Sequence, residues 1–302
     1  MTAIAGPTAA AKPAKVAKPA STHQRWRDLN RRRIWIVARS DLRQLLEDKG
    51  FWLPMVFLGG IFFVAIPTVL LVTITKIGNV DVVHQMSQTL KVLPASAQKQ
   101  VQGTSDVGRT AYALAVYLLA PIAIVVPLTI STAIGASTIV GERERGTGEF
   151  LAHSPADERE IYLGKLMASL LPGYATTLLG FGVYALIVNF FVGPEVGGWF
   201  FPTAQWWVMM LWVVPPFLAL TLSIVLRLSA RVKSTAAAQQ AAGLVTLPMI
   251  FIAYSQSTGA LFGASWTGWV LGAFAWVVAF IGLARGMRAV SRSRLLGVAD
   301  GV

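Results

Sequence analysis

The 302-residue chain contains no cysteine. Disulfide bridges, thiolate metal sites and cysteine nucleophiles are therefore excluded. Charge is scarce as well, with only 13% of residues Asp, Glu, Lys or Arg. There are three histidines, His23, His84 and His153. None stands near a carboxylate pair at metal-ligand spacing, so they read as ordinary loop residues and no metal is expected. The sequence has no His-Glu-x-x-His, no P-loop Gly-x-x-x-x-Gly-Lys-Ser/Thr and no Gly-rich dinucleotide turn. It carries no catalytic constellation of its own and calls for no cofactor. Gly135-Ala136-Ser137 lacks a nearby base to activate the serine and reads as small-residue helix packing. No short apolar run with a cleavage site precedes the first long one, so Phe51 onward reads as an uncleaved signal anchor.

What is present is apolar surface. Hydrophobic residues make up 55% of the chain, and mean hydropathy is +0.60. That is the balance of an all-α polytopic membrane protein. Charge-free runs place the spans. Residues 110–141 carry no charge, nor do 166–194, and 234–284 form a charge-free run too long for one crossing. The polar cluster from Ser255 to Gly259 divides the last run. Six transmembrane helices result, at about 51–75, 111–140, 166–191, 206–226, 237–254 and 266–284. Pro121 and Pro127 are expected to kink the second. Between the first two, Val83, Met86, Leu90 and Leu93 have the spacing of one short amphipathic helix.

Six spans put both termini on one side. Of the 26 lysines and arginines, only Lys76, Lys91, Lys99 and Arg109 fall in loops on the opposite face. The positive-inside rule then makes both ends cytoplasmic, in a multi-pass protein of the cell (plasma) membrane. The net charge of +12 is accounted for by topology, so nucleic acid is not an expected partner. Trp199, Trp206, Trp207, Trp266 and Trp269 gather at one boundary, as an outer aromatic belt does.

Residues 1–30 read as a disordered basic tail, rich in Ala, Lys and Pro, that touches the membrane lipids at most weakly. Residues 33–48 follow as an amphipathic helix. Trp35, Ala38, Leu42, Leu45 and Leu46 share one face, and Arg39, Arg43 and Glu47 stack on another. Such a helix lies along the membrane interface.

One polar stretch stands between the second and third spans: GERERGTGEFLAHSPADEREIYLGK, residues 141–165. Glu142, Arg143, Glu144 and Arg145 are four consecutive charges, which cannot lie in hydrocarbon. Gly146 breaks the preceding helix, and Thr147 caps a short one with Glu149 in its first turn and Phe150 on its apolar face. Ser154, Pro155 and Asp157 then read as cap, first position and third position of the next helix.

This stretch resembles the cytoplasmic loop of ABC-2 type transporter permeases: a charged run, Gly-Thr, a Ser-Pro turn and a Leu-Gly-Lys start to the next span. The resemblance implies that residues 31–302 form an ABC-2 type transmembrane domain. It makes 33–48 the elbow helix, with Arg39, Arg43 and Glu47 near the partner, and makes the loop a coupling helix docked on a separate ATPase subunit through Glu142, Arg143, Glu144, Arg145, Gly146, Thr147, Glu149 and Phe150. It further implies a homodimer or a heterodimer with a similar permease. The pathway would then lie where the first, second and fifth spans meet, lined by Phe62, Phe63, Tyr117, Thr129, Ser131 and Thr132. Those residues suit a hydrophobic or amphipathic substrate, because nothing in the spans compensates the desolvation of an ion. Gln239 and Gln240, at the start of the fifth span, read as hydrogen-bonding helix glue. The competing expectation is a non-transporting membrane scaffold or a resistance/immunity protein with the same fold.

Overall fold

The computed structural model describes residues 29–77, 95–144, 154–229, 231–232, 234–257 and 266–289. By its contacts the chain divides into residues 1–30 and the unit Arg31–Val302; the second is described here. Among the described residues every regular element is helical.

The helices are α1 (Arg31–Glu47), α2 (residues 49–77), α3 (Ala95–Gln100), α4 (residues 106–118), α5 (Ile122–Glu144), α6 (Glu158–Val196), α7 (residues 204–229), α8 (Thr235–Ser257) and α9 (Thr267–Ala289). Five stretches among the described residues are long and apolar enough to cross a membrane: Trp52–Lys76, Asp106–Thr138, Glu158–Val196, Ala204–Ser229 and Thr267–Met287. The protein is thus a multi-pass membrane protein. α8, with 23 residues and no charged side chain, overlaps the position of the expected fifth span but is not one of these five. The short helix expected around 83–93 lies outside the described residues.

Apolar length alone does not fix the shape of these helices. α2 is wound through π-turns at Ile61–Ala65 and Thr73–Ile77, and Pro67 sits at the start of the α-helical segment between them. The missing proline N–H is absorbed where the ladder is already shifted. The second predicted span is broken rather than kinked. α4 ends in a π-turn, Leu114–Leu118, the chain leaves the helix at residues 119–121, and α5 starts at Ile122. Pro121 lies in the break, whereas Pro127 continues within α5.

Neighbouring helices satisfy the carbonyls of these irregular turns. Tyr184 Oη donates to Ala115 O at 2.6 Å and Trp206 Nε1 to Val116 O at 3.1 Å, both in the α4 π-turn. Tyr174 Oη donates to Met210 O at 2.9 Å in the α7 π-turn, Met209–Val213. In a bilayer, where no water competes, such donors are needed wherever the backbone ladder slips.

α5 is central and packs against α6, α7 and α8, while α9 packs on α7. α6 has 39 residues, about 58 Å at about 1.5 Å per residue. That is nearly twice the roughly 30 Å hydrocarbon thickness, so its ends project. Phe63 of α2 is buried against α6 where Gly180 leaves room, and any β-carbon there would overlap the ring. At the far end of α6 from the charged loop, Asn189 uses its amide fully. It donates to the Ala185 and Phe201 carbonyls and accepts from the backbone N–H of Phe200 at 3.0 Å and Phe201 at 3.1 Å. The loop so held carries Phe201 into a ring cluster with Phe181, Tyr184 and Trp206. Trp206 is therefore not part of an outer belt but is buried at 1% exposure. Trp199, Trp207, Trp266 and Trp269 are exposed.

Candidate functional site at the charged end of the bundle

The charged loop begins where α5 ends. Gly141, Glu142, Arg143 and Glu144 form its last turn. Arg145, Gly146, Thr147, Glu149 and Phe150 lie outside the described residues, as do all three histidines. Beyond the loop, Ser154 to Ala156 form a bend, and the next helix starts later than Ser154-Pro155 suggested. Its N-cap is Asp157, in a capping box with Glu160. Asp157 Oδ1 accepts from Glu158 N at 2.8 Å, and Glu160 Oε2 accepts from Asp157 N at 2.9 Å. Two orphan N–H groups of the helix start are satisfied reciprocally, and two carboxylates sit where the helix dipole favours them.

α1 is laid along this projecting start of α6. Arg33 Nη1 donates to Pro155 O at 2.9 Å and lies 3.7 Å from Glu160 Oε2, a carboxylate that is only 2% exposed. One turn on, Val37 meets Gly164: a β-carbon at Gly164 would lie 2.7 Å from the Val37 Cβ and 3.1 Å from Ile34 O. Further along, Lys165 Nζ reaches Asp41 Oδ2 at 3.5 Å and donates to Thr138 O of α5 at 3.2 Å. The contacts follow the same order along both helices, so α1 and α6 run in the same direction. Leu45 then packs on the main core.

The inward face of α1 is therefore Ile34, Val37, Ala38, Asp41, Leu42 and Leu45, all buried or half-buried. The apolar face inferred from the sequence is rotated from it. Ala38, Leu42 and Leu45 face inward, but Trp35 and Leu46 are exposed. Close packing on Gly164 admits short or β-branched side chains, and an indole does not fit there. Arg39, Arg43 and Glu47 are exposed. Arg43 pairs with Glu47 at 2.8 Å one turn away, an arrangement worth about 0.3–0.5 kcal/mol.

Lys165 is the unusual member of the set. Its side chain is 1% exposed and that of Asp41 13%. Removing one partner of such a pair takes from the other its opposite charge, at a cost of up to about 3–5 kcal/mol. Sequence reading passed over Arg33, Asp41, Glu160, Gly164 and Lys165 as a set. One signal was available: Asp41 falls within an otherwise apolar stripe, four residues after Val37 and three after Ala38. An acid there needs a cation facing it.

Further bonds bind the same end of the bundle. Tyr162 Oη donates to Ser223 Oγ at 3.0 Å, Ser223 Oγ to Gly282 O at 3.1 Å, and Ser229 Oγ to Ala136 O at 2.7 Å. α6, α7, α9 and α5 are thereby joined around the base of the charged loop. Among the described residues no cluster of metal-ligating side chains occurs.

The six residues named for a pathway separate into two groups. Phe63, Tyr117, Ser131 and Thr132 are buried inside the chain. Tyr117 Oη donates to Gln100 Oε1 at 3.4 Å and Thr132 Oγ1 to Leu128 O at 2.7 Å. Thr129 is exposed on α5 and Phe62 is half-buried on α2. Gln239 and Gln240 are exposed on α8, as is Gly243 one turn further.

Comparison with known proteins agrees with this architecture. The family model described as ABC-2 family transporter protein matches residues 35–264, from the first turns of α1 to beyond α8. Comparison with curated proteins gives no match.

Proposed function

The chain belongs to the ABC-2 family of transporter proteins, and on that premise we propose that it is the permease subunit of an ATP-driven exporter whose ATPase is a separate chain. A membrane subunit of ABC-type transport carries no nucleotide site of its own, and this sequence has no P-loop. The energy then enters at the charged end. The observation that carries this reading is the convergence there of α1, the end of α5 and the start of α6, tied by Arg33–Glu160 and Lys165–Asp41 at the two helix ends that the charged segment joins. A run of four consecutive charges, Glu142 to Arg145, next to so firmly bound a base suits docking by a partner. The Glu142–Arg145 run and the segment Gly146, Thr147, Glu149 and Phe150 are the proposed contact, and α1 is the proposed elbow helix.

In this reading six spans, α8 being the fifth, place both termini in the cytoplasm of a cell-membrane protein. Residues 1–30 are a basic tail and residues 31–302 the transmembrane domain. Two such chains, identical or similar, form the transport unit with two ATPase domains. The pathway runs between them along the outer faces of α2, α5 and α8, where Phe62 and Thr129 are accessible from outside the chain. The buried Phe63, Tyr117, Ser131 and Thr132 support that wall from behind. Among the described residues the long apolar helices carry their charged side chains near their ends, so the substrate is hydrophobic or amphipathic.

The test is association. The chain, co-expressed with a candidate ABC ATPase subunit, is expected to retain that ATPase through purification in detergent, and Glu142→Ala with Glu144→Ala to release it. Full retention in the double variant contradicts the docking assignment.

A further inference from the structure

We infer that the Lys165 ammonium is a joint that makes α1, the end of α5 and the start of α6 move as one body, so that a displacement of the charged loop reaches the first span. The inference rests on the functional reading above and adds to it a positioning residue. Lys165 lies on α6, its Nζ is bonded to Thr138 O on α5, and it is paired with Asp41 on α1. α5 leads into the charged loop and α6 leads out of it. A pull on either side of the loop is therefore delivered to the same ammonium.

From α1 the path into the membrane has no slack. Asp48 alone separates α1 from α2: its backbone is extended, its N–H donates to Gln44 O at 3.1 Å and its side chain caps α2 through Gly50 N at 2.9 Å. Tilting α1 therefore tilts the start of the first span. A charge-assisted bond suits a joint better than packing alone. Separating the three elements would break the ammonium's bonds to Asp41 and Thr138 at a site where its side chain is 1% exposed. Gly164 beside it brings α1 close enough for Asp41 to be within reach.

The test uses the whole complex of chain and ATPase, with the chain labelled before assembly; the chain has no cysteine of its own, so the introduced pair is its only labelling site. Spin labels at Ser40→Cys on α1 and Arg159→Cys on α6 report whether the two helices stay together. Labels at Arg159→Cys and Ser234→Cys report whether trapped nucleotide moves the charged end at all. The unaltered joint is expected to keep the 40–159 distance constant while the 159–234 distance changes on trapping. The neutral pair Lys165→Met with Asp41→Leu removes both charges of the ion pair together. It is expected to fold and bind the ATPase, and yet to show a 40–159 distance that shifts or splits on trapping. A purely structural role for the pair predicts no such shift, so a constant 40–159 distance in the folded neutral pair overturns the inference. A 40–159 distance that changes with the native pair present overturns it as well. Loss of ATPase binding by the otherwise native chain refutes the functional reading itself, and the joint with it.

Discussion

Gly164 and Val37 are in contact at a distance that leaves no room for a methyl group: a β-carbon on Gly164 would lie 2.7 Å from both Cβ and Cγ1 of Val37. The third span and the N-terminal helix are thus packed backbone to side chain at the foot of the charged loop. Gly164→Ala is expected to force them apart, at about 1–3 kcal/mol for overpacking. Gly182→Ala on the same helix meets nothing within 4 Å, so it is expected to hold or gain stability. Thermal unfolding in detergent compares the two, and equal melting temperatures would contradict the close-packing account.

The opposite end of α6 offers an independent check. Asn189 satisfies the N–H groups of Phe200 and Phe201 and the Phe201 carbonyl at once. Asn189→Leu leaves these partners unmet, at about 1–3 kcal/mol for each that stays buried. Limited proteolysis is expected to cut between Gly197 and Thr203 in the variant and to spare the parent.

These two contacts mark what sequence reading reached and what it missed. The apolar helices were legible because charge is absent from long runs and stands at their ends. The family was legible from the charged loop. The break at 119–121 was not, because Pro121 and Pro127 look alike in the sequence and only Pro121 coincides with a break. The inward face of α1 was misplaced in part because hydrophobicity favoured Trp35 and Leu46, whereas close packing on Gly164 brings Ile34 and Val37 inward. Lys165 and Glu160 looked like loop charges; their burial depends on α1 folding back over them, a contact more than 120 residues away in sequence.

Tyr184→Phe and Trp206→Phe each remove a donor to the irregular turn of α4. Each is expected to cost about 1 kcal/mol or more, since a carbonyl in a slipped ladder is left without a partner. Because Ala115 O and Val116 O are adjacent on one turn, the double variant is expected to lose more or less than the sum of the singles. Denaturation midpoints of the three variants test this, and strict additivity would show that the two donors act on separate elements.

Thr129 is exposed on α5, while Ser131 and Thr132 are buried. If two copies meet on this face, Thr129→Cys is expected to form a disulfide between chains in membranes, and Ser131→Cys is not. Cross-linking at Ser131 but not at Thr129 would place the dimer face elsewhere.

The central claim is that the charged end of this chain receives the work of a separate ATPase. The most direct measurement is ATP hydrolysis by the purified ATPase alone, with the chain in liposomes, and with the Glu142→Ala, Glu144→Ala variant in liposomes. The account predicts that the chain changes the hydrolysis rate and that the double variant returns it to that of the ATPase alone, while Gly182→Ala leaves it as in the parent. Hydrolysis identical in the presence and absence of the chain, with both proteins folded, would contradict it.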